Sequence, residues 1–311
     1  MELAISTLDM TRQEWLLLRK NSIGGSDAAS ILGFNKWKSA FQLYIEKTSD
    51  FVEEVDNEYI YWGNVLEDIV ATEFTRRTGK KVRRRNQLLR HVEHSFMTAN
   101  LDRVVVGERA ILECKTTSQY NKEAWEGDNV PAAYICQVQH YLAVTGYDKA
   151  YIAVLIGGNN FVWKEIERDD EFIELMIEHE KKFWENHVIA NIPPAIDGSS
   201  SASEFLSKMF PEDDGTAMML DSQMATVIEA IESLKAEEAA LAIQRKEYEN
   251  QLKLTLGDAA EGHTPAHKVT YKSYISTRID TTRIKKERPD LYEESSKQTS
   301  ARRLTIKREE A

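Results

Sequence analysis

Residues 10–33, MTRQEWLLLRKNSIGGSDAASILG, begin with helical periodicity, break at Gly24-Gly25 and restart with Ser26 or Asp27 as the expected N-cap. SAFQLYIEKTS is a short amphipathic helix. In YWGNVLEDIVATEFTRRTGK, Val65, Ile69 and Phe74 recur at helical spacing and Gly79 marks the end. The period then shortens: KKVRRRNQLLRH, FMTANLDRVVVG and AILECKTTS read as consecutive strands separated by turns. PAAYICQVQHYLAVTG returns to helix, with Pro131 near its first turn and Gly146 as its stop. KAYIAVLIGGNNFVWKEIER predicts two strands hinged at Gly157-Gly158, and DDEFIELMIEHEKKFWENHV an amphipathic helix that closes this part. The order helix, helix, strands, helix, strands, helix predicts an α/β (α+β) core with a central mixed β-sheet flanked by helices.

After Pro193-Pro194 the texture changes. AIDGSSSASEF and FPEDDGTA are loop-like, which places a first domain over 1–197 and a linker over 198–218. From Leu220, apolar residues fall at 220, 224, 227, 231, 234, 241, 248 and 252. That is heptad spacing, with Glu238 and Arg245 on seam positions where apolar residues are expected. The stretch 219–257 therefore reads as an imperfect coiled-coil arm, or as a helix packed on its own domain. Residues 258–311 read as a small basic β-plus-α module.

Composition narrows the classes. At 311 residues and 42% hydrophobic, the chain supports one sizeable core with an appendage, or two modest domains. No apolar run approaches the roughly 20 residues that cross a bilayer. The start lacks the basic-then-apolar pattern of a signal peptide, so a cytoplasmic protein without a membrane partner is expected. Two cysteines, Cys114 and Cys136, exclude a disulfide scaffold and a four-cysteine zinc or iron–sulfur site. The net charge of -11 argues against general attraction to nucleic acid, but the distribution is uneven. Arg76 to His91 holds eight Lys/Arg and no acid, and Lys268 to Arg308 twelve Lys/Arg against five acids. Between them, residues 201–267 hold thirteen acids and five bases. Either basic stretch can hold a phosphate backbone locally; either can equally be a solvated face. There is no internal repeat, Walker glycine loop or H-E-x-x-H motif.

The candidate chemistry lies in AILECKTTS. Glu113 and Lys115 sit two apart on a predicted strand, so they project from one face. Buried charge is costly unless paired or bound to metal, and an isolated E-x-K is most often an ion pair on a surface strand. Here it has company. Asp102, in TANLDRVV on the preceding predicted strand, comes beside Glu113 if the two strands pair antiparallel. Glu67 lies in the helix WGNVLEDIV. Three converging carboxylates repel unless a hard divalent cation sits among them, and Mg²⁺ takes oxygen ligands while keeping several waters. The lysine then orients or activates an attacking water, or balances charge on a pentavalent phosphate.

This set resembles the PD-(D/E)xK nuclease superfamily, and within it the YqaJ-type viral recombinases, the lambda exonuclease-like family. WLLLRKNSIGGSDAA is similar to its W-x3-R-x6-S motif, through Trp15, Arg19 and Ser26. WGNVLED is similar to W-G-x3-E, with Glu67. TANLDRVV resembles the motif-II aspartate strand, LECKTT the E-x-K strand, and YICQVQHYL the following helix with Gln137 and Tyr141 as Q-x3-Y. Order and approximate spacing agree from Trp15 to about Asp197. Two departures stand out: N-L-D-R where many relatives have P-D-G, and the long acidic arm with its basic tail.

The resemblance implies the following. Asp102 and Glu113 hold Mg²⁺ together with the main-chain carbonyl of Cys114, and Glu67 serves a second metal or its water. Two Mg²⁺ are implied, with Mn²⁺ as a substitute. Lys115 activates the nucleophile, Gln137 supports that lysine or the metal water with Tyr141 behind it, and Arg19 with Ser26 receives a DNA phosphate at the 5′ end. The implied activity is 5′-to-3′ resection of double-stranded DNA ends, with a single-strand annealing protein as partner, a homotrimer as assembly and the host cytoplasm as location. An endonuclease of the same superfamily and a non-catalytic DNA-binding or assembly protein are the competing expectations.

Overall fold

The structure is a computed structural model that describes residues 3–49, 58–298 and 301–307. A short strand, β1 (Leu3–Ser6), precedes α1 (Arg12–Lys20). Thr11 and Glu14 close the start of α1 reciprocally: Glu14 N donates to the Thr11 hydroxyl at 3.3 Å and Thr11 N to Glu14 Oε2 at 2.8 Å. β2 (Ile23–Gly24) runs directly into α2 (Gly25–Ile31). Gly24, not Ser26 or Asp27, is the N-cap; Asp27 sits one turn in and reaches back to accept from Gly24 N at 3.1 Å. Next come α3 (Ala40–Thr48), capped by Ser39, and α4 (Glu58–Thr78). Of the apolar stripe expected on α4 only Phe74 is buried; Val65 and Ile69 are 45% and 55% exposed. The C-terminal half of α4 covers a sheet with Val70, Ala71 and Phe74, while its first half borders the cleft described below.

Strands β3 (Val82–Arg83), β4 (Gln87–Arg90), β5 (Met97–Asn100), β6 (Arg103–Val105) and β7 (Ala110–Thr117) follow. A 3-10 turn at Gln119–Trp125 leads to α5 (Ala132–Thr145), which ends where Gly146 adopts a left-handed φ of 65°. The hairpin β8 (Lys149–Ile156) and β9 (Asn160–Glu167) precedes α6 (Asp170–Phe183), which runs on into a π-helical turn. The sheet is split in two. A five-stranded mixed sheet has the order β3-β6-β7-β8-β9, with β7 and β8 parallel and α5 in the crossover between them. A four-stranded sheet has the order β1-β4-β5-β2. The chain leaves β5 in one sheet and enters β6 in the other across Leu101 and Asp102.

Alternation along β7 assigns its faces. Ile111 packs with Leu142, Ile173 and Met176 on the side of α5 and α6. Leu112 packs with Val70, Phe74 and Tyr151 on the side of α4. The five-stranded sheet is thus covered on both faces.

The expected linker over 198–218 contains a helix, α7 (Ser200–Met209), with Ala202 and Phe205 buried. Phe205 meets Phe41 of α3 edge-on, ring centroids 6.5 Å apart. One compact unit accordingly spans Met1–Met209 and a second Phe210–Ala311. The serine-rich composition that suggested a loop carries its apolar residues one helical turn apart, enough to bury one side. In the second unit, α8 (Ser222–Leu256) runs for 35 residues with none buried, capped by Asp221, whose side chain accepts from Met224 N at 2.9 Å. The remainder is an antiparallel pair, β10 (Glu261–His263) and β11 (Lys268–Thr270), then α9 (Thr281–Glu287) and α10 (Pro289–Ser295). Among the described residues, no helix is long and apolar enough to cross a membrane.

Candidate active site

A cleft of about 350 Å³ opens where α1, α2, α4 and α5 meet β7 and the β5–β6 junction. Every residue singled out from the sequence lines it: Trp15, Arg19, Ser26, Glu67, Asp102, Glu113, Cys114, Lys115, Gln137 and Tyr141.

Its floor is β7. Glu113 and Lys115 continue the face of Ile111 and so look toward α5, where Gln137 waits. Lys115 Nζ donates to Glu113 Oε1 at 2.6 Å and to Gln137 Oε1 at 3.0 Å. The Gln137 amide nitrogen donates to Glu113 Oε1 at 2.8 Å and to the Tyr141 hydroxyl at 3.0 Å. Carbonyl toward ammonium and amide toward carboxylate is the orientation that satisfies all four groups. Burial works against the Lys115 ammonium, but Glu113 and Asp102 more than offset it and hold its pKa above that of an ordinary lysine.

Asp102 arrives from the sheet junction. Antiparallel pairing of Arg103 with Leu112 sets it opposite Glu113, and its Oδ2 accepts from Cys114 N at 2.8 Å. Burial, then the neighbouring Glu113 charge, pushes the Asp102 pKa well above the usual carboxylate range. Burial also pushes the Cys114 thiol far up. Among the described residues, no donor reaches Asp102 Oδ1 or Glu113 Oε2. Two free carboxylate oxygens beside a main-chain carbonyl form a hard-oxygen donor set that fits Mg²⁺.

Glu67 enters the cleft from α4, on the other face of β7. Arg103, 4% exposed, donates to Glu67 Oε1 and to Asp68 Oδ1, each at 2.5 Å. The three carboxylates therefore share one cleft without forming a ready cage: among the described residues, no group of three Asp, Glu, His or Cys stands placed to hold an ion as it is. The arginine of N-L-D-R supplies the counter-charge.

The opposite wall carries a guanidinium. The Arg19 guanidinium lies over the Trp15 ring, 4.8 Å from its centroid, and donates to the Ser26 hydroxyl at 3.0 Å. Behind it is a buried ion pair that the sequence reading did not single out. Lys47 Nζ donates to Asp27 Oδ2 at 2.8 Å and to the Arg19 carbonyl at 2.7 Å, while Asp27 also accepts from Gly24 N. Burial raises the Asp27 pKa, yet Lys47 and then Arg19 outweigh it and hold the carboxyl ionised. One pair thus ties α1, α2 and α3 together around the guanidinium. The available signal was Lys47 standing in phase with buried Leu43 and Tyr44 on α3. The basic run that begins in the last turn of α4 is partly neutralised: Arg76 and Arg77 pair with Glu73, Lys80 with Glu108 and Arg84 with Asp68.

The sequence profile of the YqaJ-like viral recombinase domain matches residues 14–148, which span this cleft from Trp15 to Tyr141. The uncharacterized protein YqaJ of Bacillus subtilis (strain 168) is 48% identical over 310 residues, 98% of this chain and 97% of its own. Among solved structures, the alkaline exonuclease LHK-Exo of Laribacter hongkongensis aligns over 63% of this chain and 97% of its own, at 19% identity and a TM-score of 0.49. A phage related exonuclease from Haemophilus somnus 129PT aligns over 55% and 96%, at 16% identity and a TM-score of 0.39.

Proposed function

The chain belongs to the YqaJ-like viral recombinase family, and from that premise we propose that it is a Mg²⁺-dependent exonuclease acting on linear duplex DNA from 5′ to 3′. The observation that carries the reading is one cleft holding both an Asp102–Glu113–Lys115–Gln137 cluster and an Arg19–Ser26 anion pocket. Cleavage needs the first; recognition of a terminal phosphate needs the second.

Asp102, Glu113 and the Cys114 carbonyl would hold one ion, and Glu67 the water or ion beside it. Bound Mg²⁺, two ions on this reading and replaceable by Mn²⁺, supplies charge neutralisation at phosphorus and acidifies the attacking water. Lys115 is fixed on two sides by Glu113 and Gln137, so its ammonium is preorganised to orient the nucleophile and meet charge developing on the phosphate. Arg19 presents paired N–H donors to a terminal 5′-phosphate, with the Ser26 hydroxyl beside it. The single strand left behind suits a single-strand annealing protein in recombination, in the host cytoplasm. Assembly through the catalytic unit, a trimer on the family resemblance, leaves α8 for the separate contact argued below.

A time course with Mg²⁺ on end-labelled linear duplex and on covalently closed circles tests this. We expect shortening from 5′ ends, intact circles and faster digestion of 5′-phosphate than 5′-hydroxyl ends. Arg19→Ala should erase most of that preference, since a charge-assisted contact contributes roughly 1.5–3 kcal/mol, about ten- to a hundredfold. Cut circles, or equal rates on both ends, would move the reading to an endonuclease.

A further inference from the structure

The 35 residues of α8 form a rod about 52 Å long at 1.5 Å per residue, and none of them is buried. The exposure is not random. Met224, Val227, Leu234, Leu241, Tyr248 and Leu252 stand 38–64% exposed at alternating spacings that make one stripe. An apolar seam of this length calls for a second helix. The helix carries four Lys/Arg against six Asp/Glu, so a phosphate backbone does not suit it. We propose that α8 pairs with α8 of a second copy of this chain, antiparallel, with the two-fold axis level with Ile243.

The two charged seam residues choose the orientation. Glu238 and Arg245 lie one heptad apart on the same seam position. Parallel copies in register would stack Glu238 on Glu238 and Arg245 on Arg245, two like-charge layers. Their flanking pairs would be Ala230 with Lys235, Glu237 with Ala242 and Gln244 with Glu249, none of them of opposite charge. Antiparallel copies centred at Ile243 set Leu234 opposite the second copy's Leu252. Glu238 then lies about 4.5 Å along the axis from the second copy's Arg245, by the helical rise. On the flanks Lys235 meets the second copy's Glu249, and Ile228 its Leu256. Each of these contacts occurs twice about the axis, as a self-complementary interface requires. The contact does not depend on the nuclease chemistry, nor on any assembly through the catalytic unit.

Cysteine cross-linking in the full-length protein reads this directly. Leu234→Cys and Leu252→Cys variants with different tags are made alone and by co-expression, oxidised with copper phenanthroline and run without reductant. The wild type, which keeps Cys114 and Cys136, sets the background. In the proposed arrangement like positions on the two copies lie about 27 Å apart, and a disulfide needs Cα atoms within about 7 Å. We therefore expect a cross-link between the two tags on co-expression and none from either variant alone. Adding Glu238→Arg should lower the co-expressed yield roughly tenfold by facing two arginines, and Glu238→Arg with Arg245→Glu should restore it. A Leu234→Cys variant that cross-links to itself would overturn the proposal in favour of a parallel pair. No mixed cross-link above background would overturn it in favour of another cover for α8, and failure of the double charge swap would overturn the register.

Discussion

Gly25 lies against the ring of Tyr141, and a Cβ there would come within 2.5 Å of Tyr141 Cε1. The Tyr141 hydroxyl accepts from Gln137, and Gln137 holds Lys115 and Glu113, so crowding at Gly25 reaches the chemistry through two side chains. At Gly24 the nearest atom to such a Cβ is 3.9 Å away. Gly25→Ala is therefore expected to cost roughly 1–3 kcal/mol by overpacking and to slow cleavage. Gly24→Ala, which only exchanges a tolerated cap for a poorer one, should cost under about 1 kcal/mol. Urea denaturation and a cleavage assay on both variants check this; a Gly25→Ala protein equal to wild type in both would show that the Tyr141 contact constrains nothing. At this scale Glu113 and Lys115 were legible because strand period alone puts them on one face. Asp27, Lys47 and Arg103 were not, because their partners lie twenty or more residues away and only folding brings them together.

Between residue and molecule, the elements most legible were those with local punctuation. Pro131 and Gly146 bracket α5, and Gly157-Gly158 turns the β8–β9 hairpin, as the sequence indicated. One helix face and one element escaped. The apolar positions of α4 mix a core face with a cleft border, so periodicity alone chose the wrong stripe. α7 hides among serines, and only its packing shows that Phe205 belongs to the core. Burying a phenylalanine contributes roughly 1.5–3 kcal/mol, a sizeable part of a domain stability of about 5–15 kcal/mol. A chain ending at Met209 should accordingly fold and keep nuclease activity. One ending at Asp197 should be less stable to urea unfolding by at least that free energy while retaining some activity, since every cleft residue precedes it. Equal stability of the two would contradict a structural role for α7.

Over the whole molecule, the change of texture after Pro193-Pro194 was legible, and the boundary between the two compact units lies later, at Met209. The division of the sheet was not, because the turn at Leu101–Asp102 carries no glycine or proline to announce it. That same turn delivers Asp102 to Glu113, which makes it the feature on which the functional account depends. The most direct test replaces those two carboxylates in the full-length protein and measures cleavage and DNA binding side by side in Mg²⁺. Asp102→Asn and Glu113→Gln should each cut end-labelled linear duplex more than about a hundredfold slower, since even groups that merely orient metal ligands are worth ten- to a hundredfold. Binding to the same duplex should hold or tighten, because each change removes negative charge from the cleft. Wild-type cleavage by either variant, or undiminished cleavage by the wild type in EDTA, would contradict the account.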